Sequence, residues 1–204
     1  QDLTACVETN TLYAADHDSV WFAVVDKNSI GKLIPSNASP DTISPYSVSV
    51  TPRRTVLMTQ THGHKLHEYG TDGRQLKQVS LPQSIQPCHA AETSRETYIV
   101  CHRGWDSSKD QEDYEHNHSI TEFDRKGKIL RFYGGLRGKD IDHMSWPRHM
   151  TFDSHGRIFV GDHDNKRIIV LNSELKRERF ILTKEHDGVG TPSRLWYQES
   201  TGLF

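Results

Sequence analysis

Short apolar runs parted by polar turns recur along the whole chain. The clearest set lies between Trp146 and Leu171, where Met150–Phe152, Ile158–Val160 and Ile168–Leu171 alternate with the Asp153–Gly156 turn and the polar Asp162–Asn165 loop. Runs of three to four residues fall short of a helix and suit the strands of a tightly wound antiparallel sheet.

The pattern returns in register. Pro45, Pro87, Pro147 and Pro192 each precede an apolar run, at intervals of roughly 42, 60 and 45 residues, close to the period of propeller blades. About eleven residues after each proline stands a second run: Val56–Met58, Tyr98–Val100, Ile158–Val160 and Leu203-Phe204. Gln1 takes the proline position of the first unit, with Leu12–Ala14 in the matching place. Third runs follow at Trp21–Val25, Lys65–Tyr69, Ile120–Phe123 and Arg167–Leu171. More polar fourth strands are expected at Lys32–Ile34, Leu76–Leu81, Ile129–Tyr133 and Arg179–Leu182. Turn residues separate the third and fourth, as in Gly70-Thr71-Asp72-Gly73 and Asp124-Arg125-Lys126-Gly127.

Four strands per unit at this period predict an all-β propeller of four-stranded antiparallel blades, with the polar fourth strand guarding each exposed edge. The blades are expected at 1–40, 41–84, 85–140 and 141–186, with a partial blade at 187–204, all in one propeller domain. Four blades and a part are expected to belong to a larger, six-bladed ring. A β-sandwich does not require the register to return. The long interval places an acidic insert at 105–117, with Asp106, Asp110, Glu112, Asp113 and Glu115 against Lys109. Long loops on a rigid scaffold are either solvated or functional.

Composition narrows the function classes. The chain has 204 residues, 34% hydrophobic content and a net charge of −2, which fits a soluble globular domain rather than a nucleic-acid binder dominated by charge. No apolar run is long enough for a membrane span, so no membrane insertion is expected. No charged segment followed by an apolar one opens the chain, so a secretory leader is expected to be absent or removed. Cys6, Cys88 and Cys101 are too few for a disulfide framework; Cys88 and Cys101 fall on neighbouring strands and are read as packed thiols, with a bridge as the alternative. Sequons at Asn37 and Asn117 leave both a cytoplasmic and a secreted location open.

At Pro147–Asp153, Gly156–Asp162 and Asn165–Ile168 the chain resembles an NHL repeat, whose unit runs proline, apolar strand, Asp, Gly, apolar strand, Asp, Asn and Arg. The resemblance is specific in the fourth blade, partial in the first and degenerate in the second and third. It implies a propeller, commonly six-bladed, found in TRIM-type ubiquitin ligases, in extracellular receptors and in the lyase that cleaves peptidyl-hydroxyglycine. In the first two the propeller binds protein or RNA without chemistry. The lyase holds zinc through histidines directly after the blade prolines; here those positions are Tyr46, Cys88, Arg148 and Ser193, with His89 and His149 one residue later. Because a one-residue slip in a regular strand turns a side chain to the opposite face, His89 and His149 are not expected to serve as such ligands.

The thirteen histidines are unevenly placed. In an up-and-down blade the loops between the second and third strands share one end with the blade connectors, and all but His67 and His155 fall near that end. The expected binding face comprises His89, His102, Arg103, Trp105, His116, His118, His143, Arg148, His149 and His163. Asp16, His17, Asp162, His163 and Asp164 are candidates for a divalent metal, although a repeated polar turn would give the same Asp-His-Asp pattern. Beyond that option no cofactor is expected. Trp146 and Trp196 fit either docking or packing between blades, and no nucleophile–base motif or phosphate loop is present. Basic candidates for RNA are Arg53, Arg54, Lys65, Arg74 and Lys77, then Lys166, Arg167, Lys176, Arg177 and Arg179. The expectation is an interaction scaffold with a protein partner, then an RNA-binding domain, and least a metal-dependent lyase.

Overall fold

The structure is a computed structural model that describes residues 2–16, 18–34, 44–104, 116–183, 190–198 and 200–201. Sixteen strands among these residues form four sheets, each with its strands in chain order. The first sheet holds β1 (Asp2–Cys6), β2 (Thr11–Ala15), β3 (Val20–Val24) and β4 (Ser29–Ile34). The second holds β5 (Pro45–Val50), β6 (Val56–Gln60), β7 (Lys65–Tyr69) and β8 (Gln75–Ser80). The third holds β9 (Ile85–Glu92), β10 (Tyr98–Gly104), β11 (His116–Phe123) and β12 (Ile129–Leu136). The fourth holds β13 (Pro147–Phe152), β14 (Ile158–Asp162), β15 (Arg167–Leu171) and β16 (Arg177–Thr183). Up-and-down sheets of four antiparallel strands, repeated once per sequence unit, are propeller blades. No helix among the described residues is long and apolar enough to cross a membrane.

The chain divides into two compact units, residues 1–100 with 123–128 and residues 101–122 with 129–204. In the first unit, β-branched and aromatic residues alternate inward to form two clusters. One gathers Tyr13, Val20, Ile34, Val56 and Met58; the other gathers Leu57, Leu66, Tyr98, Val100 and Phe123. Close approach of neighbouring blades needs glycine. At Gly73 (φ +80) an added Cβ would strike the Leu33 carbonyl oxygen, and at Gly127 (φ +86) the Ser80 carbonyl oxygen. The third-to-fourth-strand turns of the second and third blades thus rest on the fourth strand of the blade before.

A charged knot ties the same blades. Glu68 accepts from Arg53 at 2.9 Å and from Thr55 at 2.7 Å, while Glu92 accepts from Arg125 at 2.7 Å and pairs with Arg53 at 2.9 Å. Tyr98 Oη donates to Glu68 at 3.3 Å. Arg53, itself exposed, therefore serves both buried carboxylates, which engages one of the RNA candidates.

In the second unit, Phe159, Ile168 and Val170 form a cluster joined by Ile181, Leu195 and Tyr197. The Tyr197 ring stacks on Phe159 at 4.9 Å, so the segment after residue 190 covers the fourth blade. Gly161 makes room for it, because an added Cβ would lie 3.0 Å from the Pro192 carbonyl oxygen. The residues expected to form the second strand of the partial blade, Leu203 and Phe204, lie outside the described residues. So do Asn37, His17 and the insert from Trp105 to Glu115. All three cysteines are buried thiols.

Two registers correct the sequence reading. β11 begins at His116, four residues before the expected Ile120, because its first half is polar and carries no apolar run. In β13 the pairing passes from Pro147↔Asp162 to His149↔Gly161, and in β5 from Pro45↔Gln60 to Ser47↔Thr59. Arg148 and Tyr46 are thus the extra residues of β-bulges, which break the strict alternation of side chains. The expectation that His149 faces opposite to the residue after the proline assumed an unbroken pleat, which the register shift interrupts at this strand.

Candidate functional site

The fourth blade's connector is fixed first. Asp162 ends β14 fully buried, and its carboxylate accepts from the Ser145 backbone N–H at 2.7 Å, Asn165 Nδ2 at 2.8 Å and Arg167 Nε at 2.7 Å. Burial raises its pKa while these three donors pull the other way. Arg167 then donates to the carbonyls of Lys139, Asp140 and His143, the last at 2.6 Å, and Asn165 donates to Gly138 at 2.7 Å. The Asp, Asn and Arg of the NHL-like pattern thus pin one connector to one blade. Asp162 has no oxygen left for a metal, which corrects its candidacy.

That clamp sets the position of Trp146. Its φ is +57, a left-handed conformation that bulky side chains adopt rarely and that clusters at functional sites. The backbone is held there from two sides: Trp146 N–H donates to His118 Nδ1 at 3.0 Å, and His163 N–H donates to the Trp146 carbonyl at 3.2 Å. The Arg103 guanidinium lies 4.9 Å from the centre of the indole ring and that of Arg148 5.0 Å from it, with the His163 ring at 5.0 Å. Arg148 Nη1 lies 3.3 Å from His163 Nε2, and His163 Nδ1 lies 2.8 Å from an Asp164 carboxylate oxygen, contacts that a ring carrying its proton on Nδ1 satisfies. Asp164 also receives Ser145 Oγ at 3.2 Å and stands 3.9 Å from Arg137. The indole Nε1 and Arg148 Nε are buried donors with no acceptor among the described residues.

The result is an aromatic platform flanked by two guanidiniums, beside one acid that already has a cation. Such an arrangement suits an anionic or π-faced group. Of the expected binding face, Arg103, Arg148 and His163 come together here. His143 lies on the clamped connector, 3.5 Å from Asp140. His102 and His118 do not face a partner, which corrects their assignment: both are buried inside the third sheet. His102 Nε2 meets Thr121 at 2.7 Å and Ser119 at 2.9 Å, and burial, with a smaller contribution from His118, holds its pKa down at about 3. His149 is buried as well, accepting from the Leu195 N–H at 3.3 Å. His89, in the first unit, is likewise buried. Trp105 and His17 lie outside the described residues, and His116 is placed only as the first residue of β11.

In the second unit, no three His, Cys, Asp or Glu side chains among the described residues bring ligand atoms within 4.8 Å of one another, so Asp162, His163 and Asp164 do not form a metal cage. Asp16 sits in the first unit, its backbone N–H bonded to the Ser19 carbonyl. Sequence reasoning missed Arg137 and Ser193 and gave Trp146 no conformation. Only the solitary tryptophan directly before a blade proline hinted at the last.

Comparison with known proteins supports the fold and stops there. No family model matches the sequence, and neither does any curated protein. Among solved structures, the chain is similar to a protein of unknown function from Bacteroides caccae (14% identity, TM-score 0.61), covering 93% of this chain and 62% of that one. Virginiamycin B lyase from Staphylococcus aureus matches at 14% identity and TM-score 0.60, over 88% of this chain and 54% of the lyase. A structure of a nidogen/laminin complex matches at 14% identity and TM-score 0.61, over 90% and 63%. The chain is a β-propeller of four-stranded antiparallel blades, four of them described, and it spans less than two thirds of each of these neighbours.

Proposed function

We propose that the chain is an NHL-type propeller module that binds a protein partner through the Trp146 face of its fourth blade, without catalysing a reaction. The observation that carries this reading is Trp146 itself, held in a left-handed backbone conformation with Arg103 and Arg148 at its ring and an indole N–H lacking an acceptor. Tryptophan and arginine at a desolvated centre are the residues that dominate protein interfaces. A neighbour of the same fold comes from a nidogen/laminin complex, which makes protein docking a known use of such a scaffold.

RNA binding is the second reading, and the basic residues of the outer strands support it less. Arg53 serves Glu68 and Glu92, Arg167 is buried on Asp162, Lys176 pairs with Glu174 at 3.0 Å, and Arg177 stands 3.7 Å from Asp142. These contacts engage part of the basic set, and Lys77 lies over the Tyr98 ring, whereas a phosphate track draws on several cations at once. The test is co-purification from the native source after nuclease treatment, comparing the whole chain with its Trp146→Ala and Lys176→Ala variants. A protein retained by Lys176→Ala and lost by Trp146→Ala supports the reading. Binding that disappears with the nuclease, or that ignores Trp146, overturns it.

A further inference from the structure

Resting on that reading, we propose that the group recognised at the Trp146 face is a carboxylate carried by an acidic segment of the protein partner. The argument starts from charge. The contacts of Arg148 among the described residues are His163 Nε2 at 3.3 Å, Ser193 Oγ at 3.5 Å and the indole face at 5.0 Å. Among the described residues no carboxylate pairs with it, and its Nε–H is buried without an acceptor. A second donor in the same state, the Trp146 Nε1–H, belongs to the ring on which Arg148 lies.

Buried donors without acceptors are rare in folded proteins, and each calls for an explanation. The acid beside the site does not supply one. Asp164 is engaged by His163 at 2.8 Å, by Ser145 at 3.2 Å and by Arg137 at 3.9 Å. Among the described residues the site is therefore short of acceptors, and because no carboxylate there meets the Arg148 charge, an anion is the acceptor that fits.

The donor set selects among anions. Phosphate sites gather several backbone N–H groups, as at a helix N-terminus or a glycine-rich turn, and neither is present at Trp146. A guanidinium offers two parallel N–H groups in a planar fork, which the two oxygens of a carboxylate fill. The indole and the Arg103 guanidinium beside it supply a flat surface and a second positive charge for a segment rich in Glu or Asp.

The probe is a fluorescein-labelled hexaglutamate peptide, with labelled hexaglutamine as its uncharged counterpart, titrated into the whole chain at low salt and read by anisotropy. Hexaglutamate binds and hexaglutamine does not. Arg148→Gln weakens binding about tenfold, as expected for loss of a charge-assisted hydrogen bond. Arg103→Gln weakens it less, and Lys176→Gln, which removes one exposed charge from the turn before β16, leaves it unchanged. Equal unfolding temperatures show that the variants fold, and Arg103→Gln carries the test if Arg148→Gln does not. The inference is overturned if both arginine variants bind like the parent, if hexaglutamine binds equally, or if inorganic phosphate displaces the peptide at lower concentration than glutarate. Should hexaglutamate fail while the Trp146-dependent protein is still recovered, the carboxylate inference falls and the partner-binding reading stands.

Discussion

Arg167 Nε lies 2.7 Å from Asp162 Oδ2, with both side chains withdrawn from water. Attraction between the two opposes the desolvation of each, and the geometry is completed by Ser145, Asn165 and three carbonyls of the connector. Removing one partner leaves the other charge buried alone. Asp162→Asn is therefore expected to cost about 3–5 kcal/mol, against about 1 kcal/mol for Asn165→Ala, which loses neutral hydrogen bonds. Urea unfolding measures both; equal losses would show that the charge is not what holds the connector.

The two buried glutamates of the first unit are expected to differ. Glu68 is buried, which raises its pKa, but Thr55, Arg53 and Arg125 outweigh this and hold it below 4.5. For Glu92 burial prevails over the same arginines and the pKa is raised. A lowered carboxylate pKa contributes stability above its unfolded value and loses it as pH falls through the folded one; a raised pKa works in the opposite sense. Glu68→Gln should thus destabilise more than Glu92→Gln at pH 7, and its deficit should shrink as the solution is taken below pH 4.5. Chemical denaturation across that range decides, and the reverse order of the two variants would contradict the assignment.

His67 gives a second acid-sensitive point. It is buried in β7 with both ring nitrogens unbonded, and burial first, then Lys65, lowers its pKa to about 4. The neutral ring is the form that fits, so its contribution is complete above pH 6.5 and falls away as pH drops toward 4, by at most about 3 kcal/mol. His67→Leu should remove this part of the pH dependence. A stability curve between pH 6.5 and 4 of unchanged slope in the variant would refute it.

The blade-to-blade glycines are testable by contrast with one another. Gly127→Ala drives a Cβ against the Ser80 carbonyl oxygen, whereas at Gly156, with a similar φ of +77, the nearest atom is 3.7 Å away. The second substitution should cost about 1–2 kcal/mol from backbone strain alone, and the first clearly more. Thermal unfolding of the two variants ranks them.

Much of the fold was legible because the strand pattern repeats. Lys65–Tyr69 and Arg167–Leu171 are strands with the expected bounds. Their apolar runs are bounded by turn residues on both sides, which leaves little freedom in placing them. The entry of β11 was not legible, since His116 to Ser119 carry no hydrophobic signal, and His118 and Ser119 are buried by context. Bulges at Tyr46 and Arg148 were invisible for a different reason: an extra residue in a strand leaves composition unchanged and shifts only the pairing. Arg103, Arg148 and His163, which the structure gathers around Trp146, were singled out by their position in loops and strand starts. Separating them from His102 and His118 required burial, which residue type does not encode. Arg137 lies in the glycine-rich stretch from Gly134 to Gly138, and its role depends on a contact with Asp164 that no local pattern announces.

The most direct test of the central claim is site-specific photo-crosslinking in the native source. A photoreactive residue replaces Ser193, which borders Arg148, or Lys128, a residue of the first unit in the turn before β12. A discrete protein captured from position 193, insensitive to nuclease and lost when Trp146→Ala is added, is the predicted result. Capture of the same species from both positions, or of RNA alone from position 193, would contradict it.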